Sequence, residues 1–177
     1  MRCLWPWLVL AGLARSAAAD GGYGAIGIGR GADLGGSFAD DFDSEDEVSI
    51  RLAAGARKGS GALELVFFGT DLSGVHGGEY STNSVAVDLK LFAPIARGWE
   101  AYLRAGLGRT HLSGTGGGPS SRPEGAGESG PSWQYGVGVQ WHDGTGGWYL
   151  DWIHEDIHLG DSAASVQMLT LGLQLGD

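Results

Sequence analysis

The sequence predicts an all-β chain: an eight-stranded antiparallel up-and-down transmembrane β-barrel. Three observations point there. The stretch Ser132–Ile153, SWQYGVGVQWHDGTGGWYLDWI, contains two arms of period two around a glycine-rich turn. The same alternation recurs in eight segments, each close to the roughly 9 to 11 residues that a tilted strand needs to cross a bilayer. The connections between segments alternate long and short, as in a barrel with one tight end and one elaborated end. Glycine agrees: 34 of 177 residues are Gly and only 18% are charged, which disfavours long helices and suits closely curved strands with small inward side chains.

Taken in order, Met1–Ala19 reads as a secretory signal peptide, with Arg2 as its positive start, an apolar run from Leu4 to Leu13, and Ala17-Ala18-Ala19 as a small-residue cleavage site. The barrel domain is then 20–177. The single cysteine, Cys3, lies in the leader, so no disulfide framework is expected. No other apolar run approaches the roughly 18 residues of a spanning helix. The net charge of −10 excludes nucleic acid as a partner, since that needs a basic footprint.

The first strand is 22–30, with Gly24, Ile26 and Ile28 on one face and Tyr23, Ala25, Gly27 and Gly29 on the other. The acidic stretch 31–47 is expected to be a long exposed loop. The second strand, 48–57, sets Val48, Ile50, Leu52 and Ala54 against Ser49, Arg51, Ala53 and Gly55, and Lys58-Gly59-Ser60-Gly61 turns the chain. The third strand is 62–70, with Leu63, Leu65 and Phe67 opposite Glu64, Val66 and Phe68, followed by a glycine-rich loop through Tyr80. The fourth, 84–92, alternates Val85, Val87, Leu89 and Leu91 with Ala86, Asp88 and Lys90, and 93–98 is expected to be a turn containing Pro94.

The fifth strand, 99–109, opposes Trp99, Ala101, Leu103, Ala105 and Leu107 to Glu100, Tyr102, Arg104 and Gly106. The segment 110–131, rich in Gly, Ser and Pro and without periodicity, is expected to be a mobile loop. The hairpin described first supplies the sixth and seventh strands, with Trp141 facing Trp148 beside the Asp143-Gly144 turn. His154 to Ala164 is expected to be a loop, and 165–175 the eighth strand, with Leu169, Leu171, Leu173 and Leu175 against Met168, Thr170, Gly172 and Gln174. Both termini fall at the tight end. Trp99, Trp141 and Trp148 then share one level, and Trp133 and Tyr135 lie toward the loop end, which suggests two aromatic girdles.

Alternation alone would also suit a soluble ligand-binding barrel with its apolar face inward. The charges decide. One face carries Arg51, Glu64, Asp88, Lys90, Glu100, Arg104 and Asp151, both signs on neighbouring strands, while the apolar columns carry none. A lipid-facing Arg or Lys at mid-bilayer costs roughly 2 to 4 kcal/mol, so the uncharged face is assigned to lipid and the charged face to a narrow lumen filled by side chains.

Tyr102-Leu103-Arg104-Ala105-Gly106-Leu107-Gly108, Tyr135-Gly136-Val137-Gly138-Val139 and Leu169-Thr170-Leu171-Gly172-Leu173-Gln174-Leu175 resemble strands of the small outer-membrane β-barrel family. That family includes the transmembrane domain of outer membrane protein A and the opacity-type surface proteins. The resemblance implies the cell outer membrane of a Gram-negative bacterium and a surface or envelope-structural protein with long extracellular loops. It implies outer-membrane lipids, lipopolysaccharide and the barrel assembly machinery as partners. Such barrels usually finish on an aromatic residue that the machinery reads; here Leu175-Gly176-Asp177 stands in that place.

Three motifs were weighed for chemistry. His154-Glu155-Asp156-Ile157-His158 spells H-E-x-x-H, which binds zinc only on a helix that brings both histidines to one face. Its neighbours Trp152 and Ile153 favour strand, so chance accounts for it. Asp41–Glu47 resembles part of a calcium loop but has Asp46 where glycine is required and Leu52 where glutamate is required. His111 and Ser113 with Glu155 would make a lipid A hydrolase triad if the three converged at the outer rim. Each bland reading outweighs the sharp one, so no catalytic, cofactor-binding or metal residue is assigned and no cofactor is expected. The alternatives are a lipid A-modifying barrel hydrolase and a soluble periplasmic ligand-binding barrel.

Overall fold

The computed structural model describes residues 21–36, 42–43, 48–74, 79–115, 127–159 and 162–176. They form β1 (Gly22–Gly36), β2 (Phe42–Asp43), β3 (Val48–Lys58), β4 (Gly61–Gly74), β5 (Glu79–Ala96), β6 (Trp99–Thr115), β7 (Ser129–His142), β8 (Gly146–Leu159) and β9 (Ser162–Gly176). The stub β2 only extends the sheet beside the end of β4. The other eight strands pair antiparallel in sequence order, and β1 meets β9, which closes the barrel. Closure leaves no unpaired sheet edge among these eight strands, the condition for a β-structure in hydrocarbon.

The turn end is built as expected from glycine chemistry. Lys58 pairs with Gly61 and Ala96 with Trp99, leaving two-residue turns in which Gly59 (φ +60°) and Gly98 (φ +75°) take the left-handed conformation. The turn 93–98 is therefore shorter than the sequence suggested: β5 continues through Pro94 with an irregularity in its register before Ala96. In the third turn Gly144 has φ +90°, and the Asp143 carboxylate accepts hydrogen bonds from the Thr145 hydroxyl at 2.8 Å and the Thr145 N–H at 3.0 Å. These bonds hold the Asp143 carboxyl below its ordinary range.

At the other end the strands outrun the sequence reading. β1 runs to Gly36 with a register shift between Gly31 and Asp33, so the acidic stretch begins as strand. Likewise β6 continues to Thr115, β7 starts at Ser129, β8 reaches Leu159 and β9 starts at Ser162, all inside segments expected to be loops. The physical reason is that the ladder of hydrogen bonds continues past the apolar belt into water. There outward positions turn polar and the period-two contrast disappears although the strand does not. The segment 1–20, which includes the expected signal peptide, lies outside the described residues, as do 116–126 and most of 37–47.

The two faces are assigned as the charge pattern predicted. Ile28, Leu103, Leu107, Leu171 and Leu173 are all more than half exposed on the outer wall, whereas Arg51, Glu64, Asp88, Lys90, Arg104 and Asp151 are buried inside. An apolar surface of that extent is not tolerated on a soluble monomer, which overturns the inward-apolar barrel. On β6 the predicted crossing, Trp99 to Arg109, is eleven residues long, and its ten steps span roughly 25 Å once tilted.

Candidate functional site

The lumen is packed in tiers. Toward the turn end, Tyr23, Ala62, Phe92 and Tyr102 form a buried cluster, with the Phe92 and Tyr102 rings 5.6 Å apart. Toward the loop end, Phe68, Leu112, Ile153, Ile157, Val166 and Met168 form a second cluster. The sequence reading missed this upper plug, because Leu112 and Ile157 fall among polar neighbours in segments that look like loop.

Elsewhere the lumen holds the predicted ion-pair network. The Glu64 carboxylate receives Arg51 at 2.6 Å and Lys90 at 2.9 Å, and the Tyr23 hydroxyl donates to it at 2.8 Å. Arg104 pairs with Asp151 at 2.9 Å and also with Asp88, which takes a further hydrogen bond from the Gln134 amide at 2.8 Å. Three cations therefore meet three carboxylates, drawn from β3, β4, β5, β6 and β8. Glu100 stands apart near the turn end, in a two-pronged pair with Arg57 at 2.7 Å and 2.7 Å. Buried ions must be paired and hydrogen-bonded to be tolerated, and the tyrosines add to that shell: Tyr102 donates to Asp151 at 3.1 Å and Arg51 donates to Tyr149 at 3.2 Å. Glycines make room for these rings. A Cβ at Gly138 would overlap the Tyr102 ring, and one at Gly27 or Gly172 would overlap Tyr149.

The structure separates the residues weighed for chemistry. His154 and His158 point outward while Glu155, between them, is buried inside, and the strand carries the two histidines about 13 Å apart. That is no zinc-protease geometry, and among the described residues no group of three acidic, His or Cys side chains could hold a metal. Of the calcium-like stretch Asp41–Glu47, only the backbone of Phe42-Asp43 is described. His111 and Ser113 lie on the outward face of β6: the His111 imidazole bonds Ser129 at 2.9 Å and Ser113 bonds Ser81 at 2.9 Å. Glu155 faces the lumen, where the Thr110 hydroxyl donates to it at 2.8 Å. The barrel wall stands between the carboxylate and the other two.

The outer wall carries its tryptophans and tyrosines on one side, while Phe67 stands apart on β4. Trp99 pairs across the ladder with Trp141, and Trp141 with Trp148, while the Trp99 and Trp148 rings meet edge-on at 4.9 Å. Above them Tyr135 lies over His154 at 4.9 Å, Trp152 is 6.2 Å from Tyr135, and Trp133 meets His158 edge-on at 6.1 Å. The predicted girdles are thus partial: among the described residues every outward tryptophan and tyrosine comes from β6, β7 or β8.

A closed eight-stranded wall with charges inside, an apolar belt outside and extended strands at one end matches solved structures closely in extent. Neisserial surface protein A covers 89% of this chain and 97% of its own, with a TM-score of 0.68 at 15% identity. The fold is that of the small outer-membrane barrels. Ail, the attachment invasion locus protein of Yersinia pestis, matches with a TM-score of 0.51 at 18% identity over 88% of this chain and 99% of its own. The outer membrane enzyme PagL matches with a TM-score of 0.55 at 15% identity over 86% and 99%. No protein-family model and no curated protein matches the chain.

Proposed function

We propose that this chain is a secreted, non-catalytic barrel of a bacterial outer membrane. It is delivered by the leader over 1–19 and acts as a surface or envelope-stabilising protein through the segments at its loop end. The observation that carries the reading is the inversion of the barrel. Its ion pairs are shut in the lumen between two apolar clusters, so the wall is a membrane anchor and the lumen a filled core. The separation of His111 and Ser113 from Glu155 supports the absence of hydrolase chemistry.

Two measurements on the full chain test this. Expressed in cells, it is expected in the outer-membrane fraction with an unchanged lipid A mass spectrum; loss of an acyl chain that His111→Ala reverses sinks the non-catalytic reading. In planar bilayers no steady conductance is expected, and stable stepwise currents would sink the filled core.

A further inference from the structure

Two features of the outer wall stand on opposite sides of the barrel. The first is a furrow over β5 to β8, where small side chains interrupt the apolar belt. Ala93, Ala101 and Val139 line a lower section of about 600 Å³, and Ala105 and Tyr135 an upper section of about 400 Å³. Leu91, Leu103, Val137 and Trp152 line both, so the two sections are continuous.

The second is a raised patch on β9, β1 and β3. Two neighbouring rungs of the ladder carry large aliphatic side chains on all three strands: Leu171, Ile28 and Ile50 in one, Leu173, Ile26 and Leu52 in the other. Ile26, Ile28, Leu171 and Leu173 are each more than half exposed. One rung further toward the turn end the wall drops to Gly24 and Ala54. The patch centres on β1, which is four strands from β6 in either direction, so it faces away from the furrow.

Register sets the two depths. Rungs of a tilted sheet climb as they pass round a barrel. The rung of Ile28 leaves β6 at Ala101, runs through Val139, Leu150 and Leu171, continues past Ile28 through Ile50, Gly69 and Asn83, and meets β6 again at His111. Ile28 is midway round that circuit, so its height is that of the midpoint on β6, Gly106. The rung of Ile26 leaves β6 at Trp99 through Trp141, Trp148 and Leu173, which puts Ile26 two residues lower, level with Arg104. The patch therefore stands at the depth of Ala105 in the furrow.

A membrane gives every copy of the chain the same orientation, so a patch and a furrow at one depth can meet between copies without either barrel tilting. In hydrocarbon such a contact gains nothing from expelling water and depends on close packing. Branched side chains set between walls of Leu and Trp over alanine supply that packing; patch against patch or furrow against furrow does not. Five strands, β5 to β9, spaced about 4.8 Å apart over a belt about 25 Å tall offer roughly 600 Å² a side, or about 1,200 Å² in all, the lower end of specific interfaces.

We propose that the β9, β1 and β3 patch of one copy docks into the β5 to β8 furrow of a second copy. The inference rests on the membrane reading above. The two surfaces differ and lie on opposite sides, so the contact repeats into open rows rather than closing as a symmetric pair.

Cysteine cross-linking tests this, because Cys3 is the chain's one cysteine and precedes the barrel. Two differently tagged full chains, Ile28→Cys and Ala105→Cys, are co-expressed, and the isolated outer membranes are oxidised with copper phenanthroline. The mixed disulfide dimer is expected at least fivefold above either same-site dimer and above the pair of Ile28→Cys with Leu65→Cys, which lies outward on β4 outside the furrow. One chain carrying both Ile28→Cys and Ala105→Cys is expected to give a ladder of dimer, trimer and larger bands. Ile26→Cys with Val137→Cys is a second pair matched in depth and keeps the test decisive if Ala105→Cys does not fold. Equal yields from every pair, an excess of same-site dimers, or no cross-link between folded barrels each overturn the proposal, the last because lipid then fills the furrow. Heat-modifiable gel migration reports insertion separately, so a chain that never inserts is recognised as a failure of the membrane reading, and the proposal falls with it.

Discussion

Leu103 and Arg104 are consecutive residues that face opposite media: Leu103 is 60% exposed on the outer wall and Arg104 is 3% exposed inside, against Asp88 and Asp151. Leu103→Arg places a charge in hydrocarbon at a cost of roughly 2 to 4 kcal/mol and should sharply lower recovery in the membrane fraction. Arg104→Leu strands two buried carboxylates, at roughly 3 to 5 kcal/mol, and should lower the unfolding midpoint in urea. If Leu103→Arg inserts as well as the parent, the faces are reversed.

Gly138 and Tyr102 form a pair of a different kind, in which one residue is small because the other is large. Gly138→Ala pushes a methyl into the Tyr102 ring and into Asp151 Cβ, 2.8 Å away, and should cost roughly 1 to 3 kcal/mol. In the Tyr102→Ala background the same change should cost much less. Denaturation followed by tryptophan fluorescence measures both, and strictly additive costs would refute the contact.

The two buried glutamates should respond to neutralisation by very different amounts. Glu64→Gln leaves Arg51 and Lys90 without their carboxylate and should destabilise by roughly 3 to 5 kcal/mol. Glu155 has only hydroxyl partners, Thr110 foremost, so Glu155→Gln should change stability by less than about 1 kcal/mol. Equal losses would mean that Glu155 has a cationic partner.

Topology is open to protease. A glutamate-specific protease added to intact cells is expected to cut after Glu124 and within Glu45–Glu47, while Glu64 and Glu100, set in the barrel, survive. Trypsin should reach Arg97 in the β5–β6 turn only after the envelope is permeabilised. Cutting at Arg97 in intact cells would invert the orientation.

Where lipid meets the wall, sequence and fold agree almost residue by residue. Leu103 and Arg104 differ because their solvents differ, and a period of two records it. Trp141 and Trp148 were legible as partners for a local reason, the Asp143-Gly144 turn between them. Past the belt the signal fails for a physical cause. Ile157 points inward between the outward Asp156 and His158, which no longer need to be apolar, so a continuing strand resembles loop.

Tyr23 pairs with Gly176, so the seam of the barrel joins the first strand made to the last. No shorter piece of the chain can complete the ladder. A ribosome that has finished β8 has produced seven strands with two open edges and an outer face of Leu, Val and Trp that water rejects. Because the closing contact spans nearly the whole chain, its loop-closure entropy falls due in one late step rather than being spread along synthesis. Stability is therefore all or nothing along the chain: deleting β9 should abolish the other strands with it, and the unfolded polypeptide must be kept apart from its own copies until its two ends meet.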